Sequence, residues 1–124
     1  MTEVGIVIVS HSKWIAQGLV DLISEVAKDV VLTYVGGTED GGIGTSFEQV
    51  QTIVEANKAE KILAFFDLGS ARMNLELVAD FSDKDIIINN VPIVEGAYTA
   101  AALSQAGADL ATIQEQLKEL EIKK

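Results

Sequence analysis

Cysteine is absent from the 124 residues, and proline, tryptophan and histidine each occur once. Without a thiol there is no disulfide, no thiolate nucleophile and no cysteine-ligated zinc or iron–sulfur centre. A single histidine leaves too few ligands for a transition-metal site, although carboxylates alone can hold a hard cation. Long apolar runs are missing as well, the longest falling far short of the roughly 20 residues a membrane helix needs. Residues 1–9 lack the basic start and small-residue cleavage site of a secretory signal. Positive charge is scarce: 9 basic residues face 19 acidic ones, a formal net charge of −10. That balance repels nucleic acid, whose binding depends on cationic contacts to phosphate. It steers the chain towards a partner with a basic patch, or serves solubility alone. The expectation is a soluble, cytoplasmic protein with no nucleic-acid, membrane or metal partner.

What is present has a regular order. Four short apolar runs, Val4–Val9, Val30–Val35, Ile62–Phe66 and Ile86–Ile88, read as strands. They are continuous rather than alternating, the pattern of parallel strands covered on both faces. Helical spacing separates them. Ile15, Leu19, Leu22, Ile23 and Val26 form one stripe behind a Ser12 N-cap. Ser46 and Gln49 read as a capping box, with Phe47, Val50 and Ile53 or Val54 facing inward. A third helix starts near Ser70, capped by it, and carries Met73, Leu77, Val78 and Phe81. A fourth, alanine-rich helix runs from about Ile93 to Ala106 and is ended by Gly107. Asp109 caps a fifth, whose inner face is Leu110, Ile113, Leu117 and Leu120, with lysines from Lys118 to Lys124 at its end. The alternation predicts an α/β protein of one domain, residues 1–124. Its architecture is a three-layer α/β/α doubly wound sheet, with four parallel strands in the order 2-1-3-4 and helices on both faces.

That order places the topological switch point between strands 1 and 3, beyond whose carboxyl ends ligands bind in open α/β sheets. His11 follows strand 1 and Asp67 ends strand 3. Neighbouring strands lie about 4.8 Å apart, so imidazole and carboxylate can meet there. A carboxylate accepting one ring N–H fixes the tautomer and leaves the other nitrogen a better nucleophile. Histidine in this place reads as a phosphoryl acceptor at a helix N-terminus; the bland alternative is a polar residue in a strand-to-helix turn. Asp67 is alternatively a turn residue before Leu68-Gly69-Ser70.

Around this pair, Gly69 and Ser70 offer a tight turn and a hydroxyl to a phosphate. Ser12 flanks the histidine. The loop Gly36–Ser46 holds Gly41 and Gly42, whose backbone N–H groups are candidate anion donors. It matches neither the Walker nor the dinucleotide pattern, and Glu39 and Asp40 inside it favour a place on the rim. Arg72 balances charge or is simply solvated. Asn74 ties its helix to a neighbouring loop, Glu95 acts through a helix dipole, and Trp14 is either a core anchor, the expectation here, or an exposed docking residue. Read from residues alone, three activities compete: a phosphohistidine intermediate, a module sensing a small anion without covalent chemistry, and an aspartate-phosphorylated receiver. The last lacks the acidic pair expected after strand 1. A hydrolase lacks a nucleophile-elbow pattern.

Four segments, in order, carry a family likeness: Ser10-His11-Ser12, the loop Gly-Gly-x-x-x-Gly-Gly-x-Gly-Thr-Ser, Asp67-Leu-Gly-Ser-Ala-x-Met-Asn74 and Val91-Pro-Ile-Val-Glu-Gly-Ala97. Together they resemble the mannose-type enzyme IIA domain of the bacterial phosphotransferase system. Within it they are most similar to the branch that carries phosphate for PEP-dependent dihydroxyacetone kinase. The resemblance covers essentially the whole chain. It implies that His11 takes phosphate from the phosphocarrier HPr and passes it to ADP on the nucleotide-binding subunit DhaL, which works with DhaK. It also implies that Asp67 supports the histidine, that the domain has no cofactor of its own, and that it is a homodimer. Some relatives carry further carrier domains; the expectation here is a separate phosphate donor. Sugar-transporter members have an extra edge strand and a linker to a second domain, neither of which is visible, so a transporter IIA component stands as the alternative.

Overall fold

Alternate residues of the two central strands divide the interior into two layers, and the remaining elements are arranged around that division. The computed structural model describes residues 4–124. Strands β1 (Val4–Ser10), β2 (Val31–Gly36), β3 (Lys61–Phe66) and β4 (Asp85–Asn89) alternate with helices α1 (Lys13–Ser24), α2 (Phe47–Ala56), α3 (Gly69–Phe81) and α4 (Ile93–Gln105), and α5 (Leu110–Lys118) closes the chain. All strand pairs are parallel, in the order β2-β1-β3-β4. The expected architecture is what forms.

Ile6 and Ile8 of β1, with Leu63 and Phe65 of β3, enter a core completed by Leu19 and Ile23 of α1, the alanines of α4, and Ile113 and Leu117 of α5. Val7, Val9, Ile62, Ala64 and Phe66 point the other way, against Val50 and Val54 of α2 and Ala71, Leu75 and Val78 of α3. Side chains alternate across a strand, so a two-layer cover demands apolar residues at every position of β1 and β3. Each large side chain so buried contributes about 1.5–3 kcal/mol. On α4, buried Gly96, Ala97, Ala100 and Ala101 let the helix lie close to the sheet.

Helix ends follow the sequence in most places. Ser12, Ser46 and Asp109 accept from the N–H groups of Ile15, Gln49 and Thr112, and Gly107 ends α4 with φ of +90°. The capping box at Ser46 is half-formed, because Gln49 Oε1 is buried with no donor among the described residues. Ser70 is not a cap: the N-cap position of α3 is Leu68, which has no side-chain acceptor.

The inner helix faces differ from those expected. On α1 the buried residues are Ala16, Leu19 and Ile23, while Ile15 and Leu22 are exposed, as is Val26 in the turn that follows. On α3 they are Ala71, Leu75 and Val78, leaving Met73, Leu77 and Phe81 outside. Both helices carry more apolar residues than one face can hold, and small alanines take the positions nearest the sheet. Trp14 is 74% exposed and forms no part of the core.

The start of α1 is seated directly on the end of β2. A Cβ added to Gly36 would lie 2.5 Å from the Ser12 carbonyl oxygen and 2.7 Å from Lys13 Cα. Gly36→Ala is therefore expected to destabilise the fold by about 1–3 kcal/mol, the usual result of overpacking. A urea midpoint equal to wild type would show that α1 can shift freely.

Candidate active site

The end of β1 and the end of β3 are joined by one carboxylate. Asp67 Oδ2 accepts from the Ser10 hydroxyl at 2.8 Å and from the His11 backbone N–H at 2.9 Å. Its Oδ1 accepts from His11 Nδ1 and from the Leu68 N–H, both at 2.8 Å. Burial pushes the Asp67 carboxyl up, but the donors from His11, Ser10 and Leu68 outweigh it and hold the group below the ordinary carboxylate range. Asp67 is therefore ionised and acts only as an acceptor. That assigns a proton to His11 Nδ1, so that in the neutral ring the lone pair is the one on Nε2. Ser70 Oγ lies 2.5 Å from Nε2, placed to donate to that lone pair. The side chains of His11 and Asp67 are each 14% exposed, so the ring is mostly enclosed yet still open at an edge.

Ser70 sits in the first turn of α3, a helix whose N-cap offers no side-chain acceptor. The leading N–H groups of a helix have no intrahelical partner. Those of Gly69 and Ser70 have no acceptor among the described residues, and they lie in the same turn as the hydroxyl beside Nε2. This is where an anion on His11 would find donors. Ser12 is differently employed: its N–H donates to Ser10 Oγ at 3.1 Å, and its hydroxyl caps α1.

Gly41 and Gly42 do not offer the expected donors. The Gly41 N–H bonds the Thr38 carbonyl, and the Gly42 N–H is taken by Thr38 Oγ1 and Asp40 Oδ1. The loop serves the site in a way that residue types did not signal. Gly37 N–H donates to the Ser10 carbonyl at 3.1 Å and Gly44 N–H to the His11 carbonyl at 2.8 Å. Gly37 has φ of +77° and Gly44 +143°, so both positions favour glycine. The loop brackets the histidine's backbone.

Other readings resolve simply. Asn74 reaches Thr45 Oγ1 at 3.4 Å, tying α3 to the loop as expected. Arg72 is a solvated residue loosely paired with Glu76 at 3.9 Å. Glu95 lies in the first turn of α4. Among the described residues no cluster of three His, Asp or Glu side chains is arranged for a metal, and no helix is long and apolar enough to cross a membrane. Around the His11 edge, Trp14, Ile43, Leu68 and Met73 are all strongly exposed. They come from the start of α1, the glycine loop, the β3–α3 turn and the start of α3.

A parallel doubly wound sheet with a carboxylate-held histidine at its switch point defines a class, and sequence comparison agrees. Residues 5–114 match the EIIA-man family model, described as the PTS system fructose IIA component, and the chain belongs to that family. The chain is 58% identical over 120 residues to the PTS-dependent dihydroxyacetone kinase phosphotransferase subunit DhaM of Lactococcus lactis subsp. lactis, covering 97% of this chain and 98% of that one. It is 52% identical over 119 residues, 96% of each chain, to the phosphoryl donor subunit DhaM of PEP-dependent dihydroxyacetone kinase 1 from Listeria innocua. A crystal structure of the unknown-function protein EF1359 superposes with a TM-score of 0.85 at 28% identity, over 98% of both chains.

Because the folded-state pKa of Asp67 lies below its unfolded value near 3.9, its contribution to stability is present above that pH and lost as pH falls through the folded value. Asp67→Asn is therefore expected to be less stable than wild type at neutral pH, with the gap closing below about pH 4. Denaturant unfolding at several pH values measures this; a gap independent of pH would mean the ionised form is not what the site holds.

Proposed function

We propose that this chain is the phosphoryl-donor subunit of a PEP-dependent dihydroxyacetone kinase, working through a phosphohistidine at His11. The observation that carries the reading is the His11 ring held at Nδ1 by Asp67, with Nε2 facing Ser70 at the start of α3. The names of the relatives supply the physiological direction.

Phospho-HPr is the proposed donor. The Nε2 lone pair attacks phosphorus in line, the N–P bond of the donor histidine breaks, and that imidazole leaves with the electron pair. His11 becomes an N-phosphorylated imidazolium that keeps its Nδ1 proton, and Asp67 stabilises the cation. Ser70 turns its hydroxyl from the lone pair to a phosphoryl oxygen, joined by the N–H groups of Gly69 and Ser70. In the return step a β-phosphate oxygen of ADP, held on the kinase subunit DhaL, attacks phosphorus. The Nε2–P bond then breaks and ATP forms for the reaction on DhaK-bound dihydroxyacetone.

The exposed rim of Trp14, Ile43, Leu68 and Met73 offers both partners an apolar contact around the ring. The chain's net charge of −10 suits basic partners. Exchange of phosphate with these two proposed partners requires a cytoplasmic carrier. Leu77 and Phe81, spaced i, i+4 on α3 and both exposed, are consistent with the family's homodimer. Residues 1–124 function as one carrier domain.

Incubation with PEP, enzyme I and HPr is expected to label wild type with acid-labile, base-stable phosphate, and adding DhaK, DhaL and dihydroxyacetone to discharge it. His11→Ala should take no label while remaining folded; full labelling of that variant would remove His11 as acceptor. Ser70→Ala should slow transfer roughly 10²-fold, as loss of one transition-state donor does. Trp14→Ala is expected to raise KM for phospho-HPr about tenfold with kcat little changed. An unaltered KM would take Trp14 out of the docking surface.

A further inference from the structure

The site reading uses no cation, yet one is held behind it. The segment following α5 returns to the carboxyl end of the sheet, where the Ile122 N–H donates to the Asn90 carbonyl at 2.9 Å. Two residues on, Lys124 Nζ donates to the Phe66 carbonyl at 2.5 Å and lies 4.1 Å from the centroid of the Phe66 ring. Phe66 is fully buried and is the residue immediately before Asp67. Partial burial pushes the Lys124 ammonium down, and attraction to the Asp67 carboxylate opposes that shift.

Packing alone does not explain this placement. Lys124 is itself an exposed residue, so enclosure does not dictate where its ammonium lies; the Phe66 carbonyl and ring hold it against the strand end. The other charged groups on the elements around His11 have different engagements. Lys13 on α1 lies 4.9 Å from the centroid of its neighbour Trp14. Asp40 in the loop bonds Thr38 and Gly42, Glu39 is exposed beside it, and Arg72 on α3 faces Glu76. Among the described residues, Lys124 is the cation directed at the strand end that carries Asp67.

We propose that Lys124 is a positioning residue for phosphoryl transfer, supplying the fixed positive charge that lets an anionic phosphoryl group approach a histidine already paired with a carboxylate. This rests on His11 being the carrier. A phosphoryl group entering the site meets the Asp67 charge on a molecule whose net charge is −10. An ammonium anchored to the Phe66 carbonyl lowers that repulsion without contacting the phosphoryl group. The same anchor also fixes the peptide from which Asp67 projects.

Three variants separate charge from anchoring: Lys124→Gln keeps a donor without the charge, Lys124→Met keeps neither, and Lys124→Arg keeps both. Two readouts apply, the rate of labelling by phospho-HPr and the imidazole titration of His11 by NMR. The second is clean because the chain has one histidine. Removing a nearby positive charge favours the imidazolium, so Gln and Met should both move the His11 midpoint upward and slow labelling about tenfold. Arg should recover most of the rate and the wild-type midpoint. A Gln variant that labels and titrates like wild type, with Met alone impaired, would overturn the charge role in favour of anchoring. Unchanged midpoints in all three variants would overturn it as well. If wild type itself takes no label, the carrier reading fails, and the titration still decides whether Lys124 acts on His11.

Discussion

Four hydrogen bonds to one carboxylate hold this site together, and most of the surrounding architecture serves to make them meet. Asp67 gathers a hydroxyl, a ring N–H and two backbone N–H groups from the ends of β1 and β3. Each donor stabilises the ionised form, and an ionised acceptor in turn decides which ring nitrogen of His11 carries the proton. Strand pairing supplies the registration, since Val9 of β1 lies beside Phe66 of β3, one and two residues before the interacting groups. A slip of one residue would turn both interior layers inside out, so the core guards the site geometry without touching the reacting atom.

The fold was legible because its strongest signals are local. Continuous apolar strands, crossover helices with caps at Ser12, Ser46 and Asp109, and the stop at Gly107 sufficed for the strand order. The helix faces were harder to read. Ile15 and Leu22 on α1, Val26 just past its end, and Met73, Leu77 and Phe81 on α3 have the spacing of an inner stripe but lie outside it. Hydrophobic periodicity cannot choose between two adjacent apolar faces when each has a full set of residues. Close approach to the sheet decides in favour of the one carrying Ala16 or Ala71. Trp14 followed the same logic, its size suggesting a core that α1 does not turn towards.

In the site, His11 and Asp67 were readable from position, because a strand's carboxyl end at a switch point is a property of topology. The roles of the glycines were not. Gly41 and Gly42 have the composition of an anion loop, but their N–H groups close the loop's own turns, while Gly37 and Gly44 hold the backbone on either side of the histidine. Which way a backbone N–H points depends on dihedral angles that residue type only permits. Ser70 was read both as a phosphate donor and as a helix cap; it is not the cap, and its hydroxyl lies instead against the histidine ring. Lys124 gave no local signal at all, being more than fifty residues from the strand end it reaches.

The open start of α3 links chemistry to mechanics. A helix beginning at Leu68 without a side-chain acceptor is incompletely satisfied at rest, and any negatively charged group lodged there completes it. On the proposed function, loading His11 and tightening the third helix are one event, so thermal resistance becomes a gauge of the cargo. On the same reading, emptying the site loosens the turn beside His11.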